Sequence, residues 1–231
     1  ASPLNWNQIF DCFDTIKTEL KTKFPYKFIQ VDGAEADDII GLLSRSVSEK
    51  VMIISSDKDF IQLVSDNVFL YRPMEKEYYT KQTVYDKYKM SPKNFILYKT
   101  LLGDNSDKIP GVKGLGEKGI FKKFPELTEK KLTLEDIFDI SARKFKEHVV
   151  YSRIVHDRTK LENSYKIMDL SIPMVDDQQI EYLDYLIEEK FPDLNSKMFI
   201  QLYNEDKLGG MIRNLDIWLK EKFYHFKGYK D

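Results

Sequence analysis

The sequence predicts an α/β fold: a mostly parallel sheet flanked by helices, passing into a helical region. Three observations predict it. The runs "YKFIQV" (26–31), "VMIISS" (51–56) and "VFLYR" (68–72) alternate with helical patterns through the first ninety residues, as in a sheet with covered faces. After Pro92 only helical periodicities follow. No low-complexity linker and no internal repeat divides the chain. The expected division is therefore an α/β part over 1–90 and a helical part over 91–231.

Trp6, Ile9, Phe10, Phe13, Ile16 and Leu20 recur at helical spacing, predicting an amphipathic helix over about 5–22. Residues 26–31 read as a strand closed by the Asp32-Gly33 turn. "AEADDIIGLLSRSV" reads as a helix with Ile39, Ile40, Leu42, Leu43 and Val47 on its apolar side. The run 51–56 is continuously apolar and too short for a helix, hence a buried, parallel strand. Ser91-Pro92 starts a further helix, which "NFILYKTLL" continues to Gly103. Beyond it helices are expected over 117–124, 143–158, 177–190, 196–207 and 211–223, with breaks at Pro173 and Pro192.

Composition excludes several functions. Cys12 is the only cysteine, so there is no disulfide framework and no cysteine zinc site, and a reducing, cytoplasmic setting is expected. His148, His156 and His225 are too scattered for a histidine metal cluster. No apolar run approaches the roughly 18 residues of a membrane span. Charge is uneven. Between Lys108 and Lys160 there are 13 Lys/Arg against 8 Asp/Glu, and between Asp32 and Asp59 7 acids against 3 bases. Such asymmetry suits a site for cations beside one for a polyanion, although taken alone it is better explained by chance surface composition.

Three acidic groupings stand near strand or helix ends: Glu35, Asp37 and Asp38 in "EADD", Asp57 and Asp59 in "SSDKDF", and Asp104 and Asp107 in "GDNSD". At 3.6 residues per turn Glu35 and Asp38 share a helix face while Asp37 is turned away. Helix-dipole stabilisation and capping are the competing readings for each. Asp57 and Asp59 follow an apolar strand, where ligands sit in open α/β sheets. Seven carboxylates converge only around cations, and oxygen ligands without His or Cys point to Mg²⁺ or Mn²⁺. Two such ions would serve displacement at phosphorus, one activating water and one steadying the leaving oxygen.

Immediately after Asp107 comes "KIPGVKGLGEKG", where Gly111, Gly114 and Gly116 allow close backbone approach, and a helix starts at Glu117. Lys113, Lys118, Lys122 and Lys123 add attraction for a nucleic-acid backbone. A nucleotide P-loop does not fit, because no G-x-x-x-x-G-K-[ST] occurs. A plain αα-hairpin is the structural alternative, and it leaves the lysines unexplained.

Taken in order, "VDGAEADDIIGLL", "IISSDKDFIQLV" and "LLGDNSDKIPGVKGLGEKG" resemble the flap endonuclease-like 5′ nucleases, over roughly residues 26–124. The resemblance implies a PIN-like α/β part followed by a helix–turn–helix near 101–124. It implies a magnesium-dependent nuclease acting near 5′ ends: flaps, nicked or gapped duplexes, and RNA–DNA primer hybrids. By position Glu35 and Asp37 match the first metal site and Asp57, Asp59, Asp104 and Asp107 the second, with Asp38 close to both. Gly111, Val112, Lys113, Gly114, Leu115, Gly116, Lys118 and Lys122 match the element that grips duplex, where carbonyls at Val112 and Leu115 also suit K⁺. The chain departs from the pattern at Lys108, where relatives usually carry Asn, and at "EKG" in place of a common "xKT" or "xKA". The family's strand-borne aspartates and basic arch that precede this region are not found. A catalytically incomplete fragment is therefore expected, with about eighty to a hundred further residues upstream. A non-catalytic duplex-binding module and a PIN-type ribonuclease are the alternatives. A monomer is expected, in host cytoplasm if the source is viral. In the tail, core packing is expected for Tyr182, Tyr185, Leu186 and Phe199; a face for a replication clamp or single-strand binding protein is the competing reading.

Overall fold

In a computed structural model, residues 4–205 and 209–224 are described, and His225 lies outside them. The elements run α1 (Trp6–Lys23), α2 (Ala36–Ser46), β1 (Val51–Ile54), β2 (Val68–Arg72), β3 (Glu77–Tyr79), α3 (Lys81–Tyr88), α4 (Phe95–Leu102), β4 (Gly103–Asp104), β5 (Ile109–Pro110), α5 (Glu117–Lys123), α6 (Glu126–Glu129), α7 (Leu134–Arg143), α8 (Val149–His156), α9 (Arg158–Met168), α10 (Asp177–Glu188), α11 (Ser196–Glu205) and α12 (Leu215–Phe223). Short 3-10 turns cover Asp59–Leu63, Pro92–Asn94 and Gly209–Met211. Two compact units form, Gly33–Val175 and a second made of Ala1–Asp32 with Asp176–Asp231.

The larger unit holds the sheet. β1 pairs parallel with β2 in the register Val51↔Val68 to Ile54↔Tyr71, as the apolar run 51–56 predicts. β3, absent from the sequence expectation, adds an antiparallel edge through Leu70↔Tyr79 and Arg72↔Glu77. β1 is buried less than predicted. Ile53 is covered, but Met52 is 46% and Ile54 69% exposed, because among the described residues only one face of the strand is packed. α2 differs in a similar way: its most buried positions are Asp38, Ile39, Gly41 and Ser44, not the leucines. The backbone of Leu170 lies so close that a Cβ on Gly41 would sit 2.6 Å from its carbonyl oxygen.

α4 is the centre of this unit. Phe95, Ile96, Leu97, Tyr98, Thr100 and Leu101 are all buried, and the helix packs on α5, α9 and the turn Asp59–Leu63. Buried Asn94 fixes its start, donating to Leu127 O (2.8 Å) and Lys130 O (2.7 Å) and accepting from Leu132 N (3.0 Å). Ser91 caps the preceding turn through Lys93 N, as expected. The single helix predicted over 143–158 is instead α8, with α9 following a break at Asp157. His148 Nδ1 accepts from Val150 N at the start of α8 (3.2 Å). α7, also outside the expectation, begins in a Thr133–Asp136 capping box, with Asp where Glu or Gln is usual.

In the smaller unit α1 forms as predicted, but Trp6, Phe10, Phe13 and Ile16 remain exposed. Residues 26–31 form no strand, since no described strand supplies the hydrogen-bonding partner a ladder needs. Phe24 and Phe199 meet edge to face at 4.8 Å, and Phe199 stacks on Trp218 at 6.1 Å. Phe199 and buried Leu186 thus pack as expected. Tyr182 and Tyr185 do not: they are 48% and 60% exposed and stack on each other at 6.4 Å. Leu183 and Leu186 occupy the covered face of α10, and each tyrosine sits one residue, about 100°, away from it.

α4 ends where the chain turns back on itself. β4 and β5 pair as Gly103↔Pro110 and Asp104↔Ile109, and Val112 N donates to Leu101 O at 2.9 Å. Gly103 has φ +86°, and a Cβ there would strike Gly111 N and lie 2.7 Å from Ile109 O. A Cβ on Gly111 would strike Leu102 O and lie 2.6 Å from Gly103 N. Gly111→Ala should therefore lower unfolding stability by about 3 kcal/mol, read as a shifted denaturant midpoint; an unchanged midpoint refutes the crossing. Lys108 sits in the left-handed region at φ 57°, which asparagine tolerates better. Lys108→Asn should raise stability by about 0.5 kcal/mol, and a loss in the same titration contradicts this backbone assignment.

Candidate active site

The structure gathers six of the seven predicted carboxylates into two groups. Glu35, Asp37 and Asp38 each place one oxygen within 4.8 Å of the others, and so do Asp59, Asp104 and Asp107. The first group corrects the helical-wheel expectation for Asp37. Glu35 is the N-cap of α2, with extended backbone (φ −80°, ψ 151°). It lies outside the helix, so the wheel does not apply and all three acids meet. Asp38 is buried and its Oδ1 accepts from Met174 N at 3.1 Å, which ties α2 to the segment after α9.

The second group sits at a cleft of about 670 Å³, lined among others by Asp57, Asp59, Lys99, Asp104 and Glu117. Asp59 opens the 3-10 turn after β1, and Asp104 closes α4 on the β4 strand. Asp57 lines the same cleft without joining the group of three. Its Oδ1 accepts from Asp59 N at 2.8 Å, so it caps the turn that presents Asp59. None of Glu35, Asp37 or Asp38 lines this cleft, although α2 packs against the turn Asp59–Leu63.

A cation already stands among these acids. Lys99 Nζ donates to Asp59 Oδ1 and, at 2.5 Å, to Asp104 Oδ2, with its side chain only 12% exposed. Lys99 is not among the residues that the sequence singles out. The available signal is a single lysine inside the apolar "FILYKTLL", five positions before Asp104. Its electrostatic effects differ between the two partners. Burial pushes the Asp59 carboxyl up, and Lys99 offsets this only in part. Asp104 is held well below the usual carboxylate range by Lys99, then by Ser106, whose N–H donates to Asp104 Oδ1 at 2.8 Å. For Lys99 burial lowers the pKa, but the bonds to Asp104 and Asp59 outweigh it and the net direction is upward.

The donor set is wholly oxygen, a good match to a hard divalent cation. The ammonium held between two of the three acids indicates that the pocket accepts positive charge.

From the same ribbon the chain enters the glycine–lysine turn. Val112 and Leu115 are buried and anchor it, with Leu115 N donating to Val112 O at 2.9 Å. Gly114 has φ +81°. Lys113, Gly114, Gly116, Lys118 and Lys122 are exposed, while Gly111 is half-buried in the crossing described above. Arg153 of α8, another residue outside the sequence expectation, braces the turn by donating to Lys113 O at 2.7 Å.

Residues 7–89 match the family model described as 5′-3′ exonuclease, N-terminal resolvase-like domain. A 5′-3′ exonuclease of Aquifex aeolicus is 32% identical over 194 residues, 81% of this chain and 61% of that protein. DNA polymerase I of Bacillus subtilis is 38% identical over 136 residues, 56% of this chain and 16% of that protein. The chain thus spans less than two thirds of the length of these relatives. Among solved structures, a bacteriophage T5 flap endonuclease in a complex with DNA and metal ions superposes with a TM-score of 0.61 at 21% identity, over 79% of this chain and 67% of that one. Family model and sequence relatives agree in making the chain similar to 5′-3′ exonucleases, and the solved structure shares its fold.

Proposed function

We propose that this chain forms part of a structure-specific 5′ nuclease that hydrolyses phosphodiesters in DNA flaps, nicked or gapped duplexes and RNA–DNA hybrids. One observation carries the reading. Asp104 and Asp107, which Asp59 joins from the turn after β1 to complete an oxygen-only group, share one short ribbon with the exposed lysine turn. Glu35, Asp37 and Asp38 form the first metal site, and Asp59, Asp104 and Asp107 the second, with Asp57 orienting Asp59. Mg²⁺ ions bound there supply Lewis acidity and activated water for displacement at phosphorus. Lys113, Lys118 and Lys122 hold the duplex backbone through charge alone, without reading sequence. Val112 and Leu115 carbonyls suit K⁺ at the same turn, Val112 O having one lone pair free beyond its bond to Leu115 N. Fixing the acids and the backbone clamp on one ribbon sets where along the strand cutting occurs, and orientation of that kind contributes a large part of a rate.

The nuclease reading is separated from a non-catalytic duplex-binding module by a 5′-flap assay with Mg²⁺ on the whole protein of which this chain forms part. Glu35→Ala and Asp59→Asn should each lower cleavage about 100-fold or more while leaving duplex affinity within about threefold; cleavage equal to the unaltered protein ends the nuclease assignment. Replacing both Lys113 and Lys118 by Ala should reduce the slope of log affinity against log salt by about 2. An unchanged slope removes the turn from the duplex interface and favours a PIN-type ribonuclease.

A further inference from the structure

We infer that Lys99 is a built-in counter-cation that occupies the place of the divalent ion at Asp59, Asp104 and Asp107 and must leave it when that ion binds. The inference rests on reading these acids as a metal site. Lys99 Nζ is bonded to Asp59 Oδ1 and Asp104 Oδ2 together, and these residues belong to the group whose oxygens lie within 4.8 Å. A divalent ion taking the same oxygens would meet the ammonium at like-charge contact, so the two cations compete for one position.

Packing makes this competition a designed feature of the helix. Every other residue of α4 from Phe95 to Leu101 is buried, so the main chain at Lys99 is held in place and only the flexible side chain can move. The cleft of about 670 Å³ that Lys99 lines gives the ammonium somewhere to go. The cleft is lined by Asp57, Asp59, Asp104 and Glu117 against Lys58, Arg72 and Lys99, and with Asp107 beside Asp59 and Asp104 the acids remain in excess. It holds the acids together without a metal and still attracts one. The consequence is a metal affinity lower than the carboxylates alone would give. A bound ion would in turn release a lysine into the cleft beside the substrate backbone.

The test is Mn²⁺ binding followed by calorimetric titration, with Mg²⁺-dependent NMR of the lysine ¹³Cε–¹Hε groups on the unaltered protein. Lys99→Met should bind Mn²⁺ at this site about tenfold more tightly, melt at a lower temperature without metal, and gain more in Tm on adding it. Adding Asp59→Asn should abolish the tight site. Binding equal to or weaker than the unaltered protein, while Asp59→Asn still removes the site, overturns the inference and leaves the metal-site reading intact. No Asp59-dependent Mn²⁺ binding in either protein overturns both. Should Lys99→Met fail to fold, the NMR decides alone: one lysine signal, absent from Lys99→Arg, should shift with Mg²⁺ to saturation. If no lysine signal moves, Lys99 is a fixed structural partner and the inference fails.

Discussion

At Gly103 and Gly111 two stretches of backbone pass closer than any Cβ allows, and the rest of the site is built outward from that crossing. It ends α4, starts the two-residue ribbon, and returns the chain beside Leu101 through the Val112 N–H. Asp104 lies on one strand of this ribbon and Asp107 in its loop, while Gly114 and Lys113 leave from the other strand. An acid end and a basic end therefore cannot move independently. This is why both occur within one short stretch of sequence: a single clamp of backbone fixes the distance between them.

Electrostatics sets the second constraint. Carboxylates as close as Asp59, Asp104 and Asp107 repel one another in a half-buried cleft, and positive charge among them offsets that repulsion. Lys99 supplies that charge, and its unequal effect on its partners follows from their surroundings. At Asp59 desolvation prevails, whereas Asp104, covered to a similar extent, has the added hydrogen bonds of Ser106. Asp38 shows a different compromise. Its side chain points toward Glu35 and Asp37 and also holds the Met174 N–H, so one carboxylate joins the first acid group to the fold.

Much of the architecture was legible because it is local. β2 and α2 follow from short-range patterns, and the parallel pairing of β1 follows from its unbroken apolar run. Residues 26–31 have the same strand-like composition yet form none, because a strand exists only with a hydrogen-bonded neighbour. The exposed Tyr182 and Tyr185 make the same point for helices. Aromatic content suggested burial, but the covered stripe of α10 is set by Leu183 and Leu186, and only the position of surrounding elements selects which stripe is covered.

By itself the sequence determined the chemistry on offer: acids without His or Cys, glycines where the backbone must come close, lysines in the turn that follows. These depend on residue identity and spacing of a few positions. Tertiary structure alone decided which acids meet. It removed Glu35 from the helical wheel by making it a cap, left Asp57 as the partner of an N–H, and inserted Lys99 between Asp59 and Asp104. The last of these depends on a contact between residues forty positions apart, Asp59 and Lys99, and a one-dimensional pattern carries no record of such distances.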